Sequence, residues 1–207
     1  MKGRFITIEG VEGVGKSTNL ALVADLVREA GHKVIVTREP GGTRTGERIR
    51  EILLDKEEAG MTPMTELLLM FASRAQHVEE VILPALDAGT WVISDRFTDS
   101  SFAYQGGGRQ LGIERVAAMQ QLVLGAFRPD LTLLLDLDVQ TGLERATANT
   151  EADRFESEQR AFFERVRQVF LELAESNPWY EVIDAGRPLV EVQASVRAAV
   201  SSLLDHQ

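Results

Sequence analysis

Residues 10 to 17 read Gly10-Val11-Glu12-Gly13-Val14-Gly15-Lys16-Ser17. A glycine, four intervening residues and Gly-Lys-Ser form the spacing of a phosphate-binding loop, here without a mismatch. An apolar strand candidate, Phe5-Ile6-Thr7-Ile8, precedes it. An amphipathic helix candidate follows, with Leu20, Leu22, Val23, Leu26 and Val27 as its inner face. Gly13 and Gly15 reach dihedral angles closed to other residues, so successive N–H groups can turn towards phosphate oxygens. The helix N-terminus adds a partial positive charge. Lys16 is placed to reach the β- and γ-phosphates of a nucleotide, and the Ser17 hydroxyl to ligate Mg²⁺. The plain alternative, a glycine turn that opens a helix, leaves the strand–loop–helix context unexplained.

Five strand candidates (4–9, 33–37, 91–94, 131–137 and 180–183) alternate with helix candidates at 16–30, 44–55, 64–88, 97–105, 113–126, 139–148, 157–176 and 188–204. Val34-Ile35-Val36, Trp91-Val92-Ile93 and Leu131-Thr132-Leu133-Leu134-Leu135 are nearly continuous apolar runs, the pattern of strands buried on both faces of a parallel sheet. Repeated βα units predict one three-layer α/β domain over 1–207 with right-handed crossovers. Ligands in such sheets bind outside the carboxyl ends of the strands, and the polar motifs follow strands one, two and three.

The chain has 207 residues and a net charge of −10, which argues against nonspecific nucleic-acid binding. A phosphate site must then be locally basic within an acidic molecule, so each arginine counts. Cysteine is absent, which excludes disulfides and thiolate metal sites. No apolar run of membrane-spanning length and no secretory pattern is present, and a cytoplasmic protein is expected.

After the second strand, Arg38-Glu39-Pro40-Gly41-Gly42-Thr43 offers a fork-shaped donor on a tight loop, or else a surface turn with a solvated arginine. After the third, Asp95-Arg96-Phe97 places a carboxylate where phosphate-loop folds hold Mg²⁺, with Arg96 beside it to neutralise a phosphoryl group. A surface ion pair closing a strand is the alternative. In Ser100 to Arg109, three glycines end a helix. Gln105 offers both donor and acceptor, as recognition of a pyrimidine edge requires, unless this is a solvated helix end. Phe71 and Arg74 share one face of the long apolar helix 64–88, either to bind a base or as core packing with a snorkelling arginine. The polar stretch 142–156, with Arg145 and Arg154, reads as a lid over ATP or as a solvated connection. His32, His77 and His206 fit no metal pattern.

Taken in order, Glu9 to Thr18, Arg38 to Thr43, Phe71-Ala72-Ser73-Arg74-Ala75-Gln76, Asp95-Arg96-Phe97 and Tyr104-Gln105-Gly106-Gly107-Gly108-Arg109 resemble the thymidylate kinase family over nearly the whole chain. The resemblance implies a P-loop fold with strand order 2-3-1-4-5, a homodimer, and transfer of the ATP γ-phosphoryl group to dTMP. It implies ATP contacts from Gly10, Val11, Glu12, Gly13, Val14, Gly15, Lys16, Ser17 and Thr18, with Arg187 in the adenine loop Ala185-Gly186-Arg187-Pro188. Glu12 is implied at the deoxyribose 3′-hydroxyl of dTMP, Arg38 and Arg96 at its phosphate with Pro40 beside them, and Phe71 stacked on thymine. Arg74 is implied at a base carbonyl, Ser101 and Gln105 at the base edge, and Tyr104 against a 2′-hydroxyl. Ser17 and Asp95 are implied at Mg²⁺. The phosphate loop carries Glu12 and Val14, so the lid must supply the catalytic arginine, Arg145 or Arg154. Thr147 and Asn149 stand where further cations are expected. Another nucleoside monophosphate kinase, a deoxynucleoside kinase and a nucleotide-dependent switch share parts of this pattern. The pair Arg38 and Arg96 favours an acceptor that already bears phosphate. Loss of Arg154 is expected to lower kcat more than it raises the KM for dTMP, and a change in KM alone would remove it from the transition state.

Overall fold

Five short strands of mixed length in exposure and a helix between each pair leave one economical arrangement, a parallel sheet sandwiched by helices. The computed structural model describes residues 2–55, 57, 60–147 and 160–205. Strands β1 (Phe5–Glu9), β2 (Val34–Arg38), β3 (Trp91–Asp95), β4 (Leu131–Asp136) and β5 (Tyr180–Asp184) form one parallel sheet in the order 2-3-1-4-5. Each crossover is helical. Helix α1 (Lys16–Glu29) follows β1; α2 (Arg44–Leu54), α3 (Pro63–His77) and α4 (Leu83–Asp87) lie between β2 and β3. Helices α5 (Thr98–Ser101) and α6 (Ile113–Leu124) lead to β4, α7 (Val139–Thr147) and α8 (Arg160–Ser176) to β5, and α9 (Leu189–Asp205) closes the described chain.

The central strands are buried along their length, as their apolar runs predict. Strand β2 departs from that reading: Ile35 and Val36 are exposed by 37% and 41%. It stands at the sheet edge, where one flank has no neighbouring strand to cover it. Residues alternate across the sheet. Ile6, Ile8, Ile93, Leu133 and Leu135 share a core with Val23 and Val27 of α1 and Val192, Val196 and Val200 of α9. The other face carries the buried polar residues Thr7, Glu9, Ser94 and Thr132, with Thr7 and Thr132 hydroxyls 2.9 Å apart.

Two helix predictions need correction. The segment 64–88 is one apolar pattern but three pieces: α3, a π-helical turn Val78–Ile82, and α4. Pro84 has no N–H and its ring collides with the carbonyl four residues back in a regular helix; widening the preceding turn relieves both. The glycines 106–108 do not end the helix that starts at 98. That helix continues as a π-helical segment, Phe102–Gly108. The reason is close packing on α8. A Cβ on Gly108 would lie 2.5 Å from a ring carbon of Phe162, and one on Gly107 would lie 2.6 Å from a methyl of Val169.

Gly108→Ala is therefore expected to overpack this contact by about 1–3 kcal/mol, lowering Tm by about 3–10 °C in a thermal scan. A Tm within about 1 °C of wild type would mean that the two segments do not meet this closely.

Candidate active site

A glycine at position 13 is required by the backbone alone: its φ is 73°, and a Cβ there would lie 2.1 Å from the Gly142 carbonyl oxygen of α7. The phosphate loop thus nests against the helix that opens the lid segment. Gly15, at φ 85°, caps α1 and turns the chain into the helix. A cavity of about 600 Å³ opens above the loop, lined by Gly13, Val14, Gly15, Lys16, Ser17, Thr18 and Arg145. Lys16 Nζ donates to the Gly10 and Val11 carbonyls at 3.2 and 2.9 Å, so its ammonium caps the inside of the loop. Burial and the nearby Arg96 cation push Lys16 down to about 8, against the pull of Glu12, Asp95 and Glu9. Arg145 donates to the Ala185 carbonyl at 3.1 Å, which ties the end of α7 to the loop after β5.

Strand β3 ends at Asp95, and Arg96 follows in a left-handed conformation with φ 69°. Few residues other than glycine stay there unless their surroundings hold them. Arg96 is held on three sides. Its N–H donates to the Ile8 carbonyl at 3.0 Å, while its carbonyl accepts from the Ser94 hydroxyl at 2.8 Å. Its guanidinium donates to Ser100 Oγ at 3.1 Å, to Glu12 Oε1 at 3.0 Å and to the Tyr104 hydroxyl at 3.0 Å, and stacks 4.8 Å from the Tyr104 ring centre. Tyr104 in turn donates to the Glu12 carboxylate at 2.8 Å. Burial alone would weaken the guanidinium's hold on its proton. Tyr104, Glu12, Asp95 and Glu9 outweigh it and hold Arg96 above its ordinary value.

Glu9 has no role in the sequence reading, yet it anchors this turn. It ends a fully buried strand, accepts from Phe97 N–H at 2.7 Å, and accepts from Ser100 Oγ at 2.6 Å. Its carboxyl is pushed up to about 8 by burial and then by the Asp99 charge; Arg96 and the two hydrogen bonds pull the other way. Burial also raises Asp99, to about 6, partly offset by Tyr180 and Arg74. Asp99 Oδ2 and the Tyr180 hydroxyl are both buried outside hydrogen-bond geometry. Its signals in the sequence are a charged residue closing a largely apolar strand and its place at the head of the stretch Glu9 to Thr18.

On the other flank, Arg74 is 2% exposed and committed to the protein. Its Nε donates to Glu39 Oε2 at 2.7 Å, Nη1 to Ser101 Oγ at 3.0 Å and Nη2 to the Phe97 carbonyl at 2.9 Å. Phe71 is buried, with the Arg74 guanidinium 4.7 Å from its ring centre. His77 links Glu39 (2.9 Å) to Thr37 (2.7 Å) and is wholly buried, although it follows no motif. Gln105 donates to the buried Glu66 at 2.8 Å. Arg38 is not gathered with Arg96: it is exposed and donates to Glu47 at 2.8 Å. Glu47 also accepts from Gly42 N–H, which with Arg38 lowers its pKa. Pro40 follows a cis peptide bond, and its carbonyl accepts from Arg50 at 2.9 Å. Arg187 pairs at the surface with Asp184. Arg154 lies outside the described residues.

Among the described residues no group of three or more His, Asp or Glu side chains could cage a metal, and no helix is long and apolar enough to cross a membrane. The oxygen donors near the loop include the Ser17 hydroxyl, the Glu12 carboxylate already bonded to Arg96 and Tyr104, and Asp95, whose Oδ1 is buried without a hydrogen-bond partner.

A family model described as thymidylate kinase matches residues 8–196. The chain is 57% identical over 206 residues to the thymidylate kinase of Pseudomonas fluorescens (strain Pf0-1), covering 99% of this chain and 98% of that one. It is 56% identical, with the same coverage, to the thymidylate kinase of Ectopseudomonas mendocina (strain ymp). It is 54% identical over 208 residues to that of Pseudomonas syringae pv. tomato (strain ATCC BAA-871 / DC3000), covering 100% and 99%.

The raised Glu9 pKa has a signed consequence. The folded state holds the proton more tightly than the unfolded chain, so this contribution to stability is complete below about 4.5 and is lost as pH rises through about 8. Urea midpoints taken from pH 5 to 8.5 are expected to fall more steeply for wild type than for Glu9→Gln. Equal slopes would mean that Glu9 ionises as readily in the folded state as in the unfolded one.

Proposed function

We infer that this chain, which belongs to the thymidylate kinase family, is an enzyme that phosphorylates dTMP to dTDP, with ATP as the donor and ADP as the second product. The observation that carries the residue assignments is the joint between Arg96 and Glu12. One cation, largely buried, stands against a residue of the phosphate loop. A group there touches both the donor's phosphates and whatever approaches them.

Phosphoryl transfer asks little covalent help of a protein. It asks for an in-line acceptor and for positive charge spread over the transferring group. Gly10 to Thr18 supply N–H groups and the α1 N-terminus for the polyphosphate. Lys16 exchanges the Gly10 and Val11 carbonyls for the β- and γ-phosphates, whose charge restores the proton affinity that burial removes. Arg96 takes the acceptor phosphate and holds it near the γ-phosphate, and Glu12 accepts from the deoxyribose 3′-hydroxyl. Tyr104, fixed by Glu12 and Arg96, occupies the space that a 2′-hydroxyl needs. Phe71 and Arg74 serve the base. Nη1 and Nη2 of Arg74 each give one N–H to the protein, which leaves the second N–H on each for a base carbonyl. Arg38 and Pro40 reach the acceptor phosphate once Arg38 leaves Glu47. Arg145, on the rim of the cavity, and Arg154 supply lid charge over ATP, and Arg187 borders the adenine.

Ser17 and Asp95 suit Mg²⁺, a hard cation that takes one or two carboxylates together with substrate phosphates and water. The unpartnered Asp95 Oδ1 is the oxygen that fits it. When bound, the ion neutralises charge on the β- and γ-phosphates. A homodimer in the cytoplasm completes the proposal.

ADP formation from ATP and Mg²⁺ with dTMP, dUMP, dCMP, dGMP, UMP, AMP and thymidine tests the reading. Turnover is expected to be strongest with dTMP and negligible with thymidine. Comparable turnover with thymidine would place the chain among nucleoside kinases and strip Arg96 of its phosphate role. ATP binding without any acceptor-dependent turnover would leave a nucleotide switch.

A further inference from the structure

Helix α3 and the π-helical segment Phe102–Gly108 lie side by side, and two polar pairs run from α3, one to that segment and one to the end of α5 before it. Arg74 donates to Ser101 at 3.0 Å, just before that segment. Four residues on, Gln105 Nε2 donates to Glu66 Oε1 at 2.8 Å. On α3, Phe71 stands between Glu66 and Arg74 in sequence. Glu66 is wholly buried, and the Arg109 guanidinium faces it, with Nε 3.3 Å from each carboxylate oxygen. A carboxylate paired with a guanidinium accepts hydrogen bonds and donates none. The two ends of a glutamine amide have nearly the same shape, and only their partners decide which way the group points. Glu66 decides it here: the nitrogen must face Glu66, and the carbonyl oxygen faces the other way. Gln105 is 1% exposed, so no bulk water competes for either end.

This orientation matters if the ligand beside Gln105 is a pyrimidine, and the inference rests on the function proposed above. Thymine and uracil carry an N–H donor at ring position 3, between two carbonyl acceptors. Cytosine carries an acceptor at position 3 and an amino donor at position 4. We propose that Glu66 is a specificity-determining positioning residue. By holding the Gln105 amide nitrogen it presents the Gln105 carbonyl oxygen to the base, an acceptor that suits the N3–H of thymine and faces cytosine N3 as a second acceptor. Glu66 touches no substrate and acts only through Gln105. The repulsive element against cytosine is as much a part of the selectivity as the bond to thymine.

Glu66→Gln replaces an obligate acceptor by a group that can also donate, and frees the Gln105 amide to turn. The test compares kcat/KM for dTMP and dCMP at saturating ATP, in wild type, Glu66→Gln and the double variant Glu66→Gln/Gln105→Glu. The single variant is expected to lower the dTMP-to-dCMP ratio about tenfold or more, chiefly through the KM for dTMP, with the KM for ATP within about twofold of wild type. In the double variant the acceptor is restored at position 105, while the amide at position 66 can donate to it and accept from Arg109. Its ratio is expected to return towards wild type. That recovery is something a merely structural role for Glu66 would not give, and it decides the matter where the single variant folds poorly. A folded Glu66→Gln enzyme with an unchanged ratio would overturn the proposal, as would a folded double variant whose ratio stays low. Wild-type enzyme that turns over neither nucleotide would instead sink the function on which the inference rests.

Discussion

A guanidinium taken out of water must meet anions or acceptors close at hand, and the architecture around β1 and β3 follows from meeting that requirement for Arg96. Its partners come from three places: Glu12 from the phosphate loop, Tyr104 from the π-helical segment, and Ser100 from α5 before it. The backbone bends to make this possible, since φ at Arg96 is 69°. Glu9 holds that bend from beneath through Phe97 and Ser100. The phosphate loop and Arg96, proposed above to take the donor and the acceptor, are thereby one hydrogen-bonded unit. A reaction that depends on the distance between two phosphates needs such a unit before either substrate arrives.

The network around Arg74 follows the same rule with different atoms. Arg74 is buried against Phe71, Phe97, Glu39 and Ser101, so its orientation is set by the protein and not by the ligand. Glu39 carries this order into the loop after β2, where His77 and Thr37 brace it. Arg38, the last residue of β2, is left outside, exposed and paired with Glu47. The contrast is physical. A base edge needs fixed donors and acceptors, which buried networks supply. A phosphate approaching from solvent can be met by an exposed, flexible cation.

Much of the fold could be read from the chain because its signals are local. Apolar runs of strand length, glycine at helix ends and the phosphate-loop spacing each depend on residues a few positions apart. The misread elements depended on distant ones. The glycines 106–108 look like a helix stop, but they are there so that Phe162 and Val169 of α8 can approach. The apolar run of β2 looks like a strand buried on both faces. Its place at the sheet edge comes from strand pairing, which the run itself does not encode. In the candidate site, Lys16, Ser17, Asp95 and Arg96 could be singled out because they sit in spaced motifs. Glu66 and His77 could not, and Glu9 only as the first residue of the phosphate-loop stretch. A single buried Glu or His has no pattern of its own, and its meaning lies in a partner dozens of residues away.

By itself, then, the sequence determined the chemistry the chain can offer: a phosphate-loop spacing, an Asp-Arg pair at a strand end, and polar and aromatic groups spread along two helices. Those follow from residue type and spacing, which the covalent chain carries. Only the tertiary structure decided which of these groups share a partner. It joined Glu12 to Arg96, Glu39 to Arg74 and Glu66 to Gln105, because burial forces each polar group to find a partner and sheet order decides which one is within reach.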